Sequence, residues 1–223
     1  MAFFTQDYLD FFKELAANNN KDWFDANRKR YESSVKKPFA EFVQHLIDRF
    51  AKIDSRFKDL PASSCIFRIN RDIRFSKDKS PYKLMSSALV SHLGKKAGAM
   101  GGIYFELSPE AVRVYGGIYE PDKDTIYFVR EGIANNAAEF SRLINDPSFT
   151  ALYGEIRGER NKILPPEFKE AAELQPLIYN KQWYFMAEFS PETTLSDDLD
   201  ELLERCYLTN KPLEDFFNPY LQR

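Results

Sequence analysis

Apolar positions recur at helical spacing along the first part of the chain. Tyr8, Phe11, Phe12 and Leu15 fall at i, i+3, i+4 and i+7 behind a candidate cap at Thr5. Asn18-Asn19-Asn20 suits both the end of this helix and the start of a second. The second carries Trp23, Phe24, Asn27, Tyr31 and Val35 until Pro38, which has no N–H to donate and so starts a new helix or kinks this one. Phe39, Phe42, Val43, Leu46, Ile47, Phe50 and Ile53 then trace a long apolar stripe, read as core. Residues 5–57 are expected to be mostly helix.

From 61 to 119 the period falls to two. Cys65, Phe67, Ile69, Ile73 and Phe75 alternate with Arg68, Asn70, Asp72 and Arg74, as in a strand with one buried face; Arg71 is a charge on the apolar side. Residues 84–93, 103–107, 111–115 and 183–189 suit further strands, and Ser108-Pro109-Glu110 is short enough for a hairpin. Over 121–220 helices return. One carries Ile126, Val129, Arg130 and Ile133, another runs from Glu139 to Ile144, and a third starts at Ser196 with Leu199, Leu202, Leu203 and Cys206 inward. Pro212 suits the first turn of a last helix. With no linker or repeat, residues 1–223 read as a single α+β domain. Its mainly antiparallel sheet packs against helices from both ends of the chain, and the Phe39–Phe50 stripe covers the apolar face.

Composition narrows this picture. Twenty Phe, 12 Tyr and 2 Trp make 15% of the 223 residues aromatic, which excludes disorder over most of the length. No apolar run is long enough for a transmembrane helix, and Met1 to Lys13 lacks the pattern of a secretory signal. Cys65 and Cys206 read as buried free thiols in a reducing compartment, hence the cytoplasm. His45 and His92 stand alone, so no metal site is expected.

Charge singles out one segment. Residues 67–83, FRINRDIRFSKDKSPYK, hold six basic and two acidic residues, a net of +4 on a chain of −3, which leaves the remainder at −7. Such a local positive field suits an anionic ligand. Arg68, Arg71 and Arg74 supply planar donor forks, Lys79 and Lys83 point charges, Tyr82 a hydroxyl donor, and Asp72 a partner to orient an arginine. At six residues' separation Arg68 and Arg74 cannot grip one phosphate on a straight strand, so a bend is expected at 70–72, with Lys79, Tyr82 and Lys83 folding back. Arg71 is expected to be buried with an acid or carbonyl partner. Arg130, on an apolar helical face, needs an anion or acid and joins the candidate ligand set. Gly94 to Gly102, GKKAGAMGG, lacks the order of a phosphate loop and reads as a hairpin connection or lid. Glu106 and Glu188 are candidate acids on strands.

The run from Arg71 to Lys83 resembles the signature of an uncharacterised, mainly bacterial family, the domain of unknown function DUF 2461. Asn19-Asn20-Lys21-Asp22-Trp23-Phe24 with Asn27 and Tyr31, and Gly116-Gly117-Ile118-Tyr119 with Pro121, Ile126 and Arg130, are similar to two further blocks of it. The resemblance implies one α+β domain and brings no catalytic residues. Three readings stay open. The chain binds an anionic small molecule, a phosphorylated metabolite or nucleotide, through the cluster; it is a nucleic-acid-associated module; or the cluster is an ion-pair network that locks the fold. Cofactor, catalytic residues and oligomeric state are not specified by the sequence.

Overall fold

A computed structural model describes residues 2–97 and 101–221, with backbone alone for Lys96 and Ala97. By contact the chain falls into two compact units. One comprises the chain up to Lys95 with Tyr104–Val114 and Glu188–Glu204; the other comprises Lys96–Ile103, Tyr115–Ala187 and the chain from Arg205 onward.

The first unit opens with α1 (Gln6–Ala17) and α2 (Lys21–Ala26). Asn20 caps α2 by accepting from the Trp23 amide at 3.0 Å, whereas Thr5 occupies the cap position of α1 without a side-chain bond. A single turn, α3 (Arg28–Arg30), leads into a π-helical turn (Tyr31–Lys36) and then α4 (Lys37–Ile53). Pro38 thus stands in the first turn of a new helix, one of the two outcomes its missing N–H predicts. The amide of Lys37 bonds to the Glu32 carbonyl five residues back, and the widened turn accommodates a proline that can neither donate nor fit a tight turn. The apolar stripe of α4 is buried, and Phe39 and Phe42 meet Phe105 of the sheet at ring separations of 5.8 and 6.0 Å. Helix α1 anchors beside it through the Tyr8 hydroxyl, which donates to the Leu107 carbonyl at 3.3 Å.

After a short α5 (Ala62–Cys65) come β1 (Ser86–Val90), β2 (Ile103–Leu107), β3 (Val112–Ile118) and β4 (Trp183–Phe189), an antiparallel sheet in sequential order. The strand expected over 65–75 is not a ladder. Cys65 closes α5, and the chain beyond it makes two isolated bridges, Ile66 to Ala88 and Asn70 to Tyr82. A step of four residues on one side thus faces a step of six on the other, so two residues are extruded from the return limb, where Leu84 and Met85 bend. That bulge explains why β1 starts at Ser86 rather than at 84. Side chains 67–74 nevertheless alternate in exposure as the pattern predicts; Phe75 does not, and is 95% exposed.

In the second unit, α6 (Lys123–Asn135), α7 (Ala137–Ile144), α8 (Pro147–Tyr153) and α9 (Lys169–Leu174) precede β4. Phe149 and Tyr153 of α8 pack edge-on against Phe185 at 4.9 and 4.7 Å. The chain ends in α10 (Leu199–Leu221), one helix through Pro212 and Pro219, where the sequence reading placed a fresh start. Its buried stripe, Leu203, Cys206, Tyr207, Asn210, Leu213 and Phe217, stays in phase across Pro212. Keeping that face buried offsets the roughly 3 kcal/mol cost of an interior proline.

Candidate functional site: a basic cleft with an aromatic floor

The broken ribbon forms one wall of a cleft of about 510 Å³ in the first unit. The π-helical turn and its flanks form the other wall, contributing Phe24, Arg28, Tyr31, Glu32, Lys36 and Phe39; the ribbon side brings Phe67, Arg68, Asn70, Tyr82, Ser86 and Lys95. Four cations thus line the cleft against one carboxylate, above a partly aromatic surface. A π-helical turn splays its side chains differently from an α-turn, and here it sets Tyr31, Glu32 and Lys36 along one cleft wall.

Tyr82 is fixed from both sides. The bonds Arg71 N–H to Pro81 O (2.9 Å) and Lys83 N–H to Ile69 O (2.8 Å) flank it, so its own amide and carbonyl point away from the partner limb. The Asn19 side chain takes both: its amide donates to the Tyr82 carbonyl at 2.9 Å, and its oxygen accepts from the Tyr82 amide at 3.1 Å. The Tyr82 ring stacks on Phe24 with centroids 4.1 Å apart and planes at 16°. Burial pushes the Tyr82 hydroxyl up, and pushes Tyr31 up to about 12, so both phenols stay protonated donors at neutral pH.

The cations differ in their commitments. Arg28 pairs with Asp25, Lys36 with Glu32 at 2.9 Å, and the Lys95 amine donates to the carbonyls of Ser63 (3.1 Å) and Ile66 (2.6 Å). Arg68 is exposed on the cleft and has no ion pair or hydrogen bond among the described residues.

The other sequence candidates separate from this cleft. Arg71, its side chain 26% exposed rather than buried, braces the following loop, donating to Asp78, to the Ser80 carbonyl (3.1 Å) and to the Ser76 hydroxyl (3.4 Å). Asp72 and Arg74 pair with each other at 2.7 Å in solvent, and the Arg74 guanidinium holds the carboxyl below its usual range. Lys79 folds back, but onto the Ile73 carbonyl at 2.9 Å. Lys83 lies 5.3 Å from the Phe67 ring centre, where burial lowers its pKa. Arg130 is 4% exposed in the second unit and is satisfied by carbonyls, Ile178 at 2.9 Å and Asn180 at 3.0 Å, instead of an anion or acid. Glu106 accepts from the Tyr104 hydroxyl at 2.7 Å, and Glu188 pairs with Arg113 at 2.7 Å. The glycine-rich connection falls partly on 98–100, outside the described residues. No group of three or more His, Cys, Asp or Glu among the described residues is arranged to hold a metal ion.

Sequence reasoning missed Arg28, Tyr31, Lys36 and Lys95. The first three, with Glu32, follow helical spacing and form a polar stripe beside the apolar one, the only local signal of their common wall.

The fold and cleft define an α+β protein with a basic site walled by a π-helical turn with its flanking helices and by one interrupted ribbon. A family model described as Conserved hypothetical protein (DUF2461) matches residues 7–216, and the chain belongs to that family. Neither the curated proteins nor the solved structures contain a match. No helix among the described residues is long and apolar enough to cross a membrane.

Proposed function

We propose that the cleft binds an anionic small molecule, a phosphorylated metabolite or nucleotide, and that Arg68 is the group that meets its charge. The observation that carries this reading is a guanidinium with no ion pair or hydrogen bond among the described residues, on a cleft lined by three further cations and a single carboxylate. Arginine offers two parallel donors to phosphate or carboxylate oxygens, while Arg28, Lys36 and Lys95 add field. The volume lies in the usual small-molecule range of about 300–1,000 Å³. Phe67 and the edges of Tyr31 and Tyr82 suit a flat or apolar portion of the ligand. Asp72 and Asp78, the bases nearest in sequence, are both engaged by arginines, so the reading is of binding, with no reaction assigned. The buried thiols Cys65 and Cys206 favour a reducing compartment and hence the cytoplasm.

The test is a thermal-shift and calorimetry panel of nucleoside mono- and diphosphates and sugar phosphates. Ligand at a hundred times Kd stabilises by about 2.7 kcal/mol, and each kcal/mol moves Tm by about 2–4 °C at this chain length. Arg68→Ala should abolish the shift while Lys52→Ala, an equal charge change on an exposed helical position, retains it. Equal responses of the two variants would refute the assignment.

A further inference from the structure

We propose that the cleft holds one nucleotide of a short single-stranded nucleic acid, whose neighbours run along the ribbon to Phe75. This rests on the cleft reading above and extends it from a free anion to a polymer.

Phe75 is the starting point. It is 95% exposed at the tip of a loop that does not hang loose. Arg71 ties the loop across to Ser76, Asp78 and Ser80; Lys79 reaches the Ile73 carbonyl, Asp72 accepts from the Arg74 amide at 3.2 Å, and Asp78 accepts from the Ser80 amide at 2.9 Å. Side chains of several residues are therefore spent on holding one phenyl ring in water, against the hydrophobic cost of exposing it. The Arg74 guanidinium lies 5.8 Å from that ring's centre, its side chain 76% exposed, so a stacking surface and a phosphate donor sit side by side.

The ribbon connects this tip to the cleft. Residues 68, 70, 72 and 74 are all exposed on its alternating outer face. Arg68 at the cleft and Arg74 at the tip are up to about 20 Å apart at strand rise, too far for one phosphate and suited to phosphates a few nucleotides apart on an extended strand. Asp72 pairs with Arg74 and Asp78 with Arg71, so a phosphate at the tip competes with Asp72 for the exposed Arg74 guanidinium. A membrane is the poorer fit. The ring is followed by Ser76, Lys77, Asp78, Lys79 and Ser80, and Ile73 before it is partly buried, so one fully exposed apolar ring stands at the tip, whereas stacking on a base needs one ring. The chain's net charge of −3 limits the footprint to few phosphates, which predicts a shallow salt dependence, with a log–log slope of about −0.7 per phosphate.

The experiment measures fluorescence anisotropy with labelled oligothymidylates and oligouridylates of increasing length, alongside phosphatidylserine vesicles. Affinity should rise over the first few nucleotides and then level off. Phe75→Ala should lower the plateau affinity by about tenfold and Phe75→Tyr should keep it, in line with base–aromatic stacking. Since Phe75 touches no core, its variants should melt with the wild type, which separates binding from folding. Length-independent affinity, an unchanged Phe75→Ala plateau, or binding to vesicles in place of oligonucleotides would overturn the proposal. An unchanged Arg68→Ala plateau would instead count against the cleft reading.

Discussion

Replacing Asn19 with alanine removes the clamp on Tyr82 without touching the cleft wall itself. The ribbon leaves the Tyr82 amide and carbonyl pointing outward, and one side chain satisfies both at 3.1 and 2.9 Å. Each such bond contributes about 0.5–1.5 kcal/mol net, so their joint loss should cost about 1–3 kcal/mol. The site is part-buried and water can partly replace the amide, which places the expected value in the lower half of that range. The second consequence is functional. With its backbone released, the Tyr82 ring loses its fixed stack on Phe24, and the cleft wall loosens. Urea unfolding should show a lower midpoint at unchanged slope, and ligand affinity should fall although Asn19 is not among the residues lining the cleft. Tyr82→Phe, which keeps the backbone bonds and the ring, should leave stability near the wild-type value. If Asn19→Ala unfolds at the wild-type midpoint, the clamp carries no net energy and the argument from ribbon geometry is wrong.

Other consequences can be checked separately. Gly117 has φ of +83°, and a Cβ there would lie 2.2 Å from the Trp183 carbonyl oxygen, so Gly117→Ala should destabilise by about 1–3 kcal/mol or more; a neutral substitution by thermal melting would refute this. Burial pushes the Cys206 thiol up to about 11 and raises that of Cys65, so a thiol reagent at neutral pH should label neither until the chain unfolds. Rapid labelling of the folded chain would contradict their burial. The Ser80 hydroxyl and amide, then Arg71, hold the exposed Asp78 carboxyl at about 2, below its ordinary 3.8. A depressed carboxylate stabilises fully above its unfolded value, so this brace should be intact above about pH 4 and lost as pH falls through about 2. NMR titration of the Asp78 carboxyl checks it, and a midpoint near 4 would show the brace absent in solution.

Local pattern carried a great deal here. The stripe from Phe39 to Phe50 specified a helix and the face it would bury, because three- and four-residue spacing fixes a direction in space before any partner is known. The period-two runs at 103–107 and 183–189 specified strands for the same reason. Arg71, charged among apolar neighbours, is expected to be buried with an acid or a carbonyl; it has both partners, but its side chain stays partly exposed. Alternation also assigned Phe75 to the buried face, and there it failed. Pairing stops after Asn70 and Tyr82, and the Arg71 side chain closes the loop beyond, so no surface arrives to cover the ring. The two-residue slip between the Ile66 and Asn70 bridges belongs to the pairing of two limbs, which neither limb encodes alone. The cleft is of the same kind: Arg28 and Lys36 share a helix face by spacing, but their meeting with Arg68 and Lys95 follows only from packing that helix against the ribbon. Periodicity sets which way a side chain points, and the opposing surface, supplied from distant sequence, decides what it meets.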